Sequence, residues 1–110
     1  MQGLAGSDAT WKVIVSSVSL SIPTGSRERR DSWSSATVFG LPDTGGTGFA
    51  QERDRILAAL RRRGVRNVVV IAADVHHAEI IRHRPYPDFV VHELLAGPLS
   101  ATLGSPRPLD

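Results

Sequence analysis

Residues 67–79 read NVVVIAADVHHAE, and the reading of this stretch decides the fold. Val68-Val69-Val70-Ile71 is a β-branched run without polar alternation. That pattern predicts a strand buried on both faces, as at the centre of an α/β sheet. Two alanines follow, then Asp74, His76 and His77. Polar groups just past the C-terminal end of such a strand lie where open α/β sheets hold their ligands. Asp74 and His76 are two positions apart, which in extended backbone turns both side chains to the same side. A carboxylate beside an imidazole suits a first-row transition metal, whereas oxygen donors alone favour calcium or magnesium. The bare Asp-x-His spacing is common by chance, so its weight comes from its place after a buried strand. Two donors do not close a metal site, which takes about four to six. His77, Glu79, His83, His92, Glu93, Asp31 and Asp43 are the remaining candidate donors, and they form no second recognisable pair.

Immediately before this stretch, residues 49–63, FAQERDRILAALRRR, carry the clearest helical pattern. Ile56, Leu57 and Leu60 form one apolar stripe, with Phe49 and Arg53 on roughly the same side. Acidic residues come early and Arg61, Arg62 and Arg63 come late, which complements the helix dipole. Gly64 follows at the position where a left-handed residue ends a helix. The three arginines read either as a phosphate-binding patch or as solvated charges at a helix end. Residues 11–18, WKVIVSSV, predict an earlier strand that ends near Ser16 and Ser17. With the helix and residues 67–72 it makes a crossover unit whose two strands are parallel members of one sheet.

The connection between them, residues 20–48, has no convincing period. It holds Arg27, Arg29 and Arg30, then Asp31 and Trp33, then the turn-rich LPDTGG at 41–46. A loop of this length in a small domain is usually functional or disordered, and Trp33 argues for some order. Its arginines suit either steering of an anionic substrate or plain solvation. Beyond the Asp/His cluster, residues 78–83 and 89–95 predict an antiparallel hairpin across Pro85-Tyr86-Pro87-Asp88. Residues 1–10 are read as a poorly ordered lead-in and 11–110 as the structured segment.

A chain of 110 residues is at most one domain. It has no cysteine, so thiolate-bound zinc and disulfides are excluded. Net charge is +2, and Lys12 is the only lysine among thirteen basic residues. Aromatic residues are few and no nucleic-acid-binding motif appears, so no nucleic acid partner is expected. The apolar runs are too short for a membrane span. Residues 1–10 lack the features of a secretory signal, which leaves the compartment open.

The strand followed by ADVHHAE, preceded by ERDRILAALRRRGVRNVVVI, resembles the C-terminal part of PhoD-type alkaline phosphatases, within the calcineurin-like metallophosphoesterases. SSVSLSIPTG, RRDSW, FVVHELLAGPLSA and SPRPLD resemble segments of that family in the same order. The resemblance implies a partial α/β/β/α sandwich, a mixed sheet with one main helix and a C-terminal hairpin. It implies hydrolysis of phosphate esters with a metal-activated water, and calcium and iron as the metals, other divalent ions being possible. It carries metal-ligand roles onto Asp74 and His76. It places His77 beside them, to touch substrate or orient a ligand, and it puts Asp31 and Trp33 at the mouth of the site, where they contact substrate. His92-Glu93 reads instead as a structural polar pair in a strand.

Two departures stand against the resemblance. The family has Gly before the Asp, where this chain has Ala73; a position needing positive φ would be strained there by about 1 kcal/mol. The family's earlier metal-binding segments have no counterpart in these residues. The expectation is therefore a C-terminal segment whose partners are a phosphate-ester substrate and the missing N-terminal part of the catalytic domain. Alone, it would be weakly active or inactive. The alternatives are a non-catalytic remnant acting as an interaction module, and a basic anion-binding module.

Overall fold

The computed structural model describes residues 2–26, 28–34 and 48–102. In chain order the elements are α1 (Gln2–Gly6), β1 (Lys12–Val15), β2 (Gly25–Ser26), β3 (Arg29–Arg30), α2 (Ala50–Arg62), β4 (Val68–Ala72), β5 (Glu79–Tyr86) and β6 (Phe89–Leu95). The fold is mixed α/β. Four strands form one sheet in the order β1-β4-β6-β5. β1 and β6 flank β4 in parallel, and β5 runs antiparallel along the outer side of β6. The parallel crossover and the hairpin expected from the sequence are both present. The hairpin turn is shorter than its composition implied, because β5 continues to Tyr86 and only Pro87-Asp88 reverse the chain.

Period-2 geometry sends alternate residues of each strand to opposite faces. Val68, Val70 and Val91 pack against α2, while Ala72 and Leu95 pack with Ile22, Val75 and Ile81, and all are buried. Leu57 and Leu60 of α2 close over Val65, Val68, Val70, Phe89 and Val91 to make the main core. The other face is open among the described residues. Val13 and Val15 stand opposite Val69 and Ile71, and Leu94 lies between Ile71 and Ile80. Val15 is 78% exposed, Ile80 76% and Ile71 40%. β4 is thus buried on one face only, against the expectation of two, because a single helical layer covers the described sheet. Its unbroken apolar run supplies a second apolar face that no described element covers.

The end of α2 has a specific chemical cause. Gly64 adopts φ 68°; its N–H donates to the Arg61 carbonyl, and Val65 N–H donates to the Leu60 carbonyl. This is a Schellman closure, completed by packing of Val65 with Leu60 in the core. Arg61, just before it, makes a two-pronged contact with Asp88 at 2.8 and 3.2 Å and lies 4.7 Å from the centre of the Tyr86 ring. That arginine therefore ties the helix end to the β5–β6 turn and does not serve a phosphate patch, while Arg62 and Arg63 are exposed. The Arg61 guanidinium is held above its usual range, chiefly by its hydrogen bond to Asp88. Asp88 is held below the usual carboxylate range, chiefly by the same bond.

Residues 2–6 of the lead-in form a short helix with no buried residue, although Leu4 touches the edge of the core. The loop after β1 is ordered by buried hydroxyls. Ser19 Oγ accepts from the N–H groups of Ser21 and Ile22. Ser32 Oγ accepts from Thr24 N–H and donates to the Ser34 carbonyl. Arg30 is buried, with Nη1 donating to the Gly25 carbonyl, so it staples its own loop. Arg27, Asp43, the LPDTGG turn and SPRPLD lie outside the described residues.

Candidate functional site

At the C-terminal end of β4 the ladder runs slightly past the strand. Ser16 N–H donates to Ile71 O at 2.9 Å and Ala96 N–H to Ala72 O at 3.1 Å. The chain then leaves the sheet in a tight bend from Val75 to His77. Asp74 has φ 74° and His76 φ 58°, a left-handed conformation that costs a non-glycine residue on the order of 1–2 kcal/mol. Such strain persists only where the surroundings enforce it, and it concentrates at functional sites. The enforcing contact here is Val75, buried with Ile22, Ala72, Ile81 and Leu95. The extended-backbone argument for Asp74 and His76 therefore fails: both are exposed, but through a bend clamped at Val75. Ala73 is not among the positive-φ residues, so the strain expected at that position falls on its neighbour instead.

The donors at this bend differ in what they are free to do. His76 Nδ1 lies 2.7 Å from the Thr102 carbonyl. A carbonyl only accepts, so Nδ1 carries the proton of the neutral ring and Nε2 presents its lone pair. Metal-binding histidines are oriented in just this way, one N–H on a carbonyl and the other nitrogen on the ion. The Asp74 carboxylate has no hydrogen-bond or ion-pair partner among the described residues. One oxygen donor and one imidazole thus fit a metal in chemical type. Among the described residues no three His, Asp or Glu side chains gather into a metal-holding group.

His77 is placed differently. Its Nδ1 is 3.0 Å from the Val75 carbonyl and its Nε2 is 2.9 Å from Glu79 Oε2. Both nitrogens face oxygen, and the side chain is 10% exposed. It braces the bend, with neither nitrogen offered outward. Gly97 passes against it so closely that a Cβ would sit 3.2 Å from the His77 carbonyl carbon.

Trp33 and Asp31 approach from the long loop. Trp33 Nε1 donates to Ser16 Oγ at 3.0 Å, and its ring meets Phe49 edge-on at 6.3 Å. Ser16 stands beside Ile71, so Trp33 is tied to the strand end that leads to Asp74. Asp31 is exposed, with its N–H donating to the Thr24 carbonyl. The structure gives neither residue a contact with Asp74 or His76. Glu93 is fully buried and paired with His83 at 2.6 Å, while His92 is on the opposite, exposed side of β6. The polar pair in this strand is structural, and its partner is on β5, not the adjacent residue.

Sequence reasoning did not find Thr102, Val75 or Gly97. Thr102 acts through its backbone, which no side-chain pattern announces. Val75 was legible only as the apolar residue between two polar ones.

The sequence model of the PhoD-like phosphatase family matches residues 1–109 of the chain. No curated protein and no solved structure matches it. The chain belongs to the PhoD-like phosphatase family.

Proposed function

From membership of the PhoD-like phosphatases we infer that this chain supplies two ligands, Asp74 and His76, to a metal site that hydrolyses phosphate esters. The observation that carries the reading is the His76 ring, turned by the Thr102 carbonyl so that Nε2 is available, two residues from a strained carboxylate that has no partner among the described residues. A bound metal, calcium or iron by the family resemblance, supplies polarisation of the phosphoryl oxygens and lowers the pKa of its water toward about 7. The Asp74 carboxylate and His76 Nε2 hold the ion. Thr102 fixes the His76 ring, and His77 with Glu79 keeps the bend from relaxing. His77 in this reading orients the ligands on either side of it. Asp31 is the candidate for substrate contact, and Trp33 forms a fixed wall on the side of β1.

Two donors leave the coordination sphere open, so further donors must come from outside the described residues. The 110-residue chain by itself therefore hydrolyses p-nitrophenyl phosphate weakly or not at all, and turnover appears when a polypeptide carrying the family's earlier motifs is added back. Robust turnover by the chain alone that persists in Asp74→Ala and His76→Ala would refute the assignment. A second reading, an interaction module without catalysis, draws on the uncovered apolar sheet face. It predicts that no added polypeptide restores turnover.

A further inference from the structure

Between α2 and the β1–β4 edge of the sheet lies a cavity of about 280 Å³. Its floor is buried and apolar: Leu57, Leu60, Val68 and Val70, with Ile14 and Ile56 as walls. Its mouth is formed by Ser16, Ser17 and Trp33, with Arg53 beside them. Close-packed interiors leave few voids larger than a water molecule. An apolar void of about 150 Å³ already stays dry and takes up benzene. The space here is larger and is open to solvent at its mouth, but its aliphatic floor offers water no hydrogen-bond partners.

The mouth sets the other end of the ligand. Ser16 Oγ is fully engaged, accepting from Trp33 Nε1 and Val18 N–H and donating to the Val18 carbonyl. Arg53 Nη1 is held on the Leu20 carbonyl. Ser17 is exposed and its hydroxyl has no partner among the described residues. Among the described lining side chains, the polar contact on offer is thus one neutral hydroxyl. We propose that this cavity is a binding site for a compact uncharged alcohol, its aryl ring or branched alkyl group among Ile14, Leu57, Leu60 and Val70 and its hydroxyl at Ser17. The flat Trp33 indole at the entrance favours an aryl ring over an alkyl chain. The site shares Trp33 with the proposed phosphatase site, but Asp74 and His76 are not among its lining residues and its occupancy does not require them.

The test uses the full chain and phenol as the probe, followed through the methyl resonances of Ile, Leu and Val. Saturable shifts are expected at Ile14, Ile56, Leu57, Leu60, Val68 and Val70. The methyls of Val13, Ile71, Ile80 and Leu94 on the uncovered face should stay still, and inorganic phosphate at the same concentration should move none of the cavity methyls. Val70→Phe should fill the floor and weaken phenol at least tenfold. Ser17→Ala, at an exposed position that leaves the core intact, should weaken it several-fold, which decides the matter even if Val70→Phe unfolds. Shifts of equal size on both sheet faces, shifts that do not saturate, or affinity unchanged in Ser17→Ala would overturn the proposal.

Discussion

Replacing Glu93 tests how the loop after β1 is fastened beneath the candidate site. Its side chain is 0% exposed. Oε1 accepts from Leu20 N–H at 2.8 Å and Oε2 meets His83 Nε2 at 2.6 Å. Glu93→Leu strips both groups of their partner while keeping the site apolar and filled. Each buried group left unsatisfied costs on the order of 1–3 kcal/mol, and the substitution leaves two of them, the Leu20 N–H and the His83 ring nitrogen. A loss of about 3–5 kcal/mol is therefore expected, equivalent to a drop of roughly 15–25 °C in Tm. Glu93→Gln retains an acceptor for Leu20 and should lose less. His83→Leu leaves the carboxylate with one partner and should also be costly. The double variant should cost well under the sum of the single ones, since neither leaves the other unpaired. Urea unfolding of the four proteins provides the cycle. The same loop carries Ile22, which packs on Val75, so amide exchange at residues 74–77 should quicken in Glu93→Leu. A loss below about 1 kcal/mol, or strictly additive single effects, would refute this account of the loop.

Strain at the bend gives a prediction of opposite sign for stability and binding. Asp74→Gly should be more stable than Asp74→Ala by about 1 kcal/mol, because only glycine adopts φ 74° freely, and both should lose metal binding; equal thermal stability of the two would place the cost elsewhere. The Arg61–Asp88 contact gives a pH dependence. Because the folded-state pKa of Asp88 is lowered, chiefly by the Arg61 hydrogen bond, its stabilisation is full above the unfolded value and fades as pH falls through the folded one. Asp88→Asn should thus be less stable than the parent at neutral pH and should converge with it as pH falls below about 4. Thermal melts across that range check the convergence, and a gap that widens in acid would contradict it. Gly97→Val should disturb His77, against whose backbone it packs, and shift the ring resonances of His76 and His77 more than those of His83.

Local chemistry made much of the fold legible. The stripe at Ile56, Leu57 and Leu60, the late arginines and Gly64 fixed α2 and its end within a residue. The β-branched runs located β1 and β4, and the proline-flanked turn located the hairpin. What escaped depended on distant partners. An apolar run cannot show whether its second face is covered, so Val69 and Ile71 read as core. Period-2 spacing cannot show that the backbone leaves the extended region at Asp74, because the cause is Val75 meeting Ile22 some fifty residues earlier in the chain. Glu93 and His92 are adjacent in sequence, but a strand sends neighbours to opposite faces, and the true partner, His83, is set by the β5–β6 register. Asp74, His76 and His77 were visible as residues; the division between two exposed donors and one bracing histidine came only with Thr102 and Glu79.

The central claim is that Asp74 and His76 bind a metal ion together. It is tested most directly by titrating the chain with Mn²⁺ and following paramagnetic broadening of the histidine side chains. The account predicts broadening centred on His76 Nε2 and the residues of the bend, weak in affinity, on the order of 1 mM as in open oxygen-rich sites, and abolished by either Asp74→Ala or His76→Ala. Broadening that spreads evenly over the four histidines, or that survives both substitutions, would contradict it.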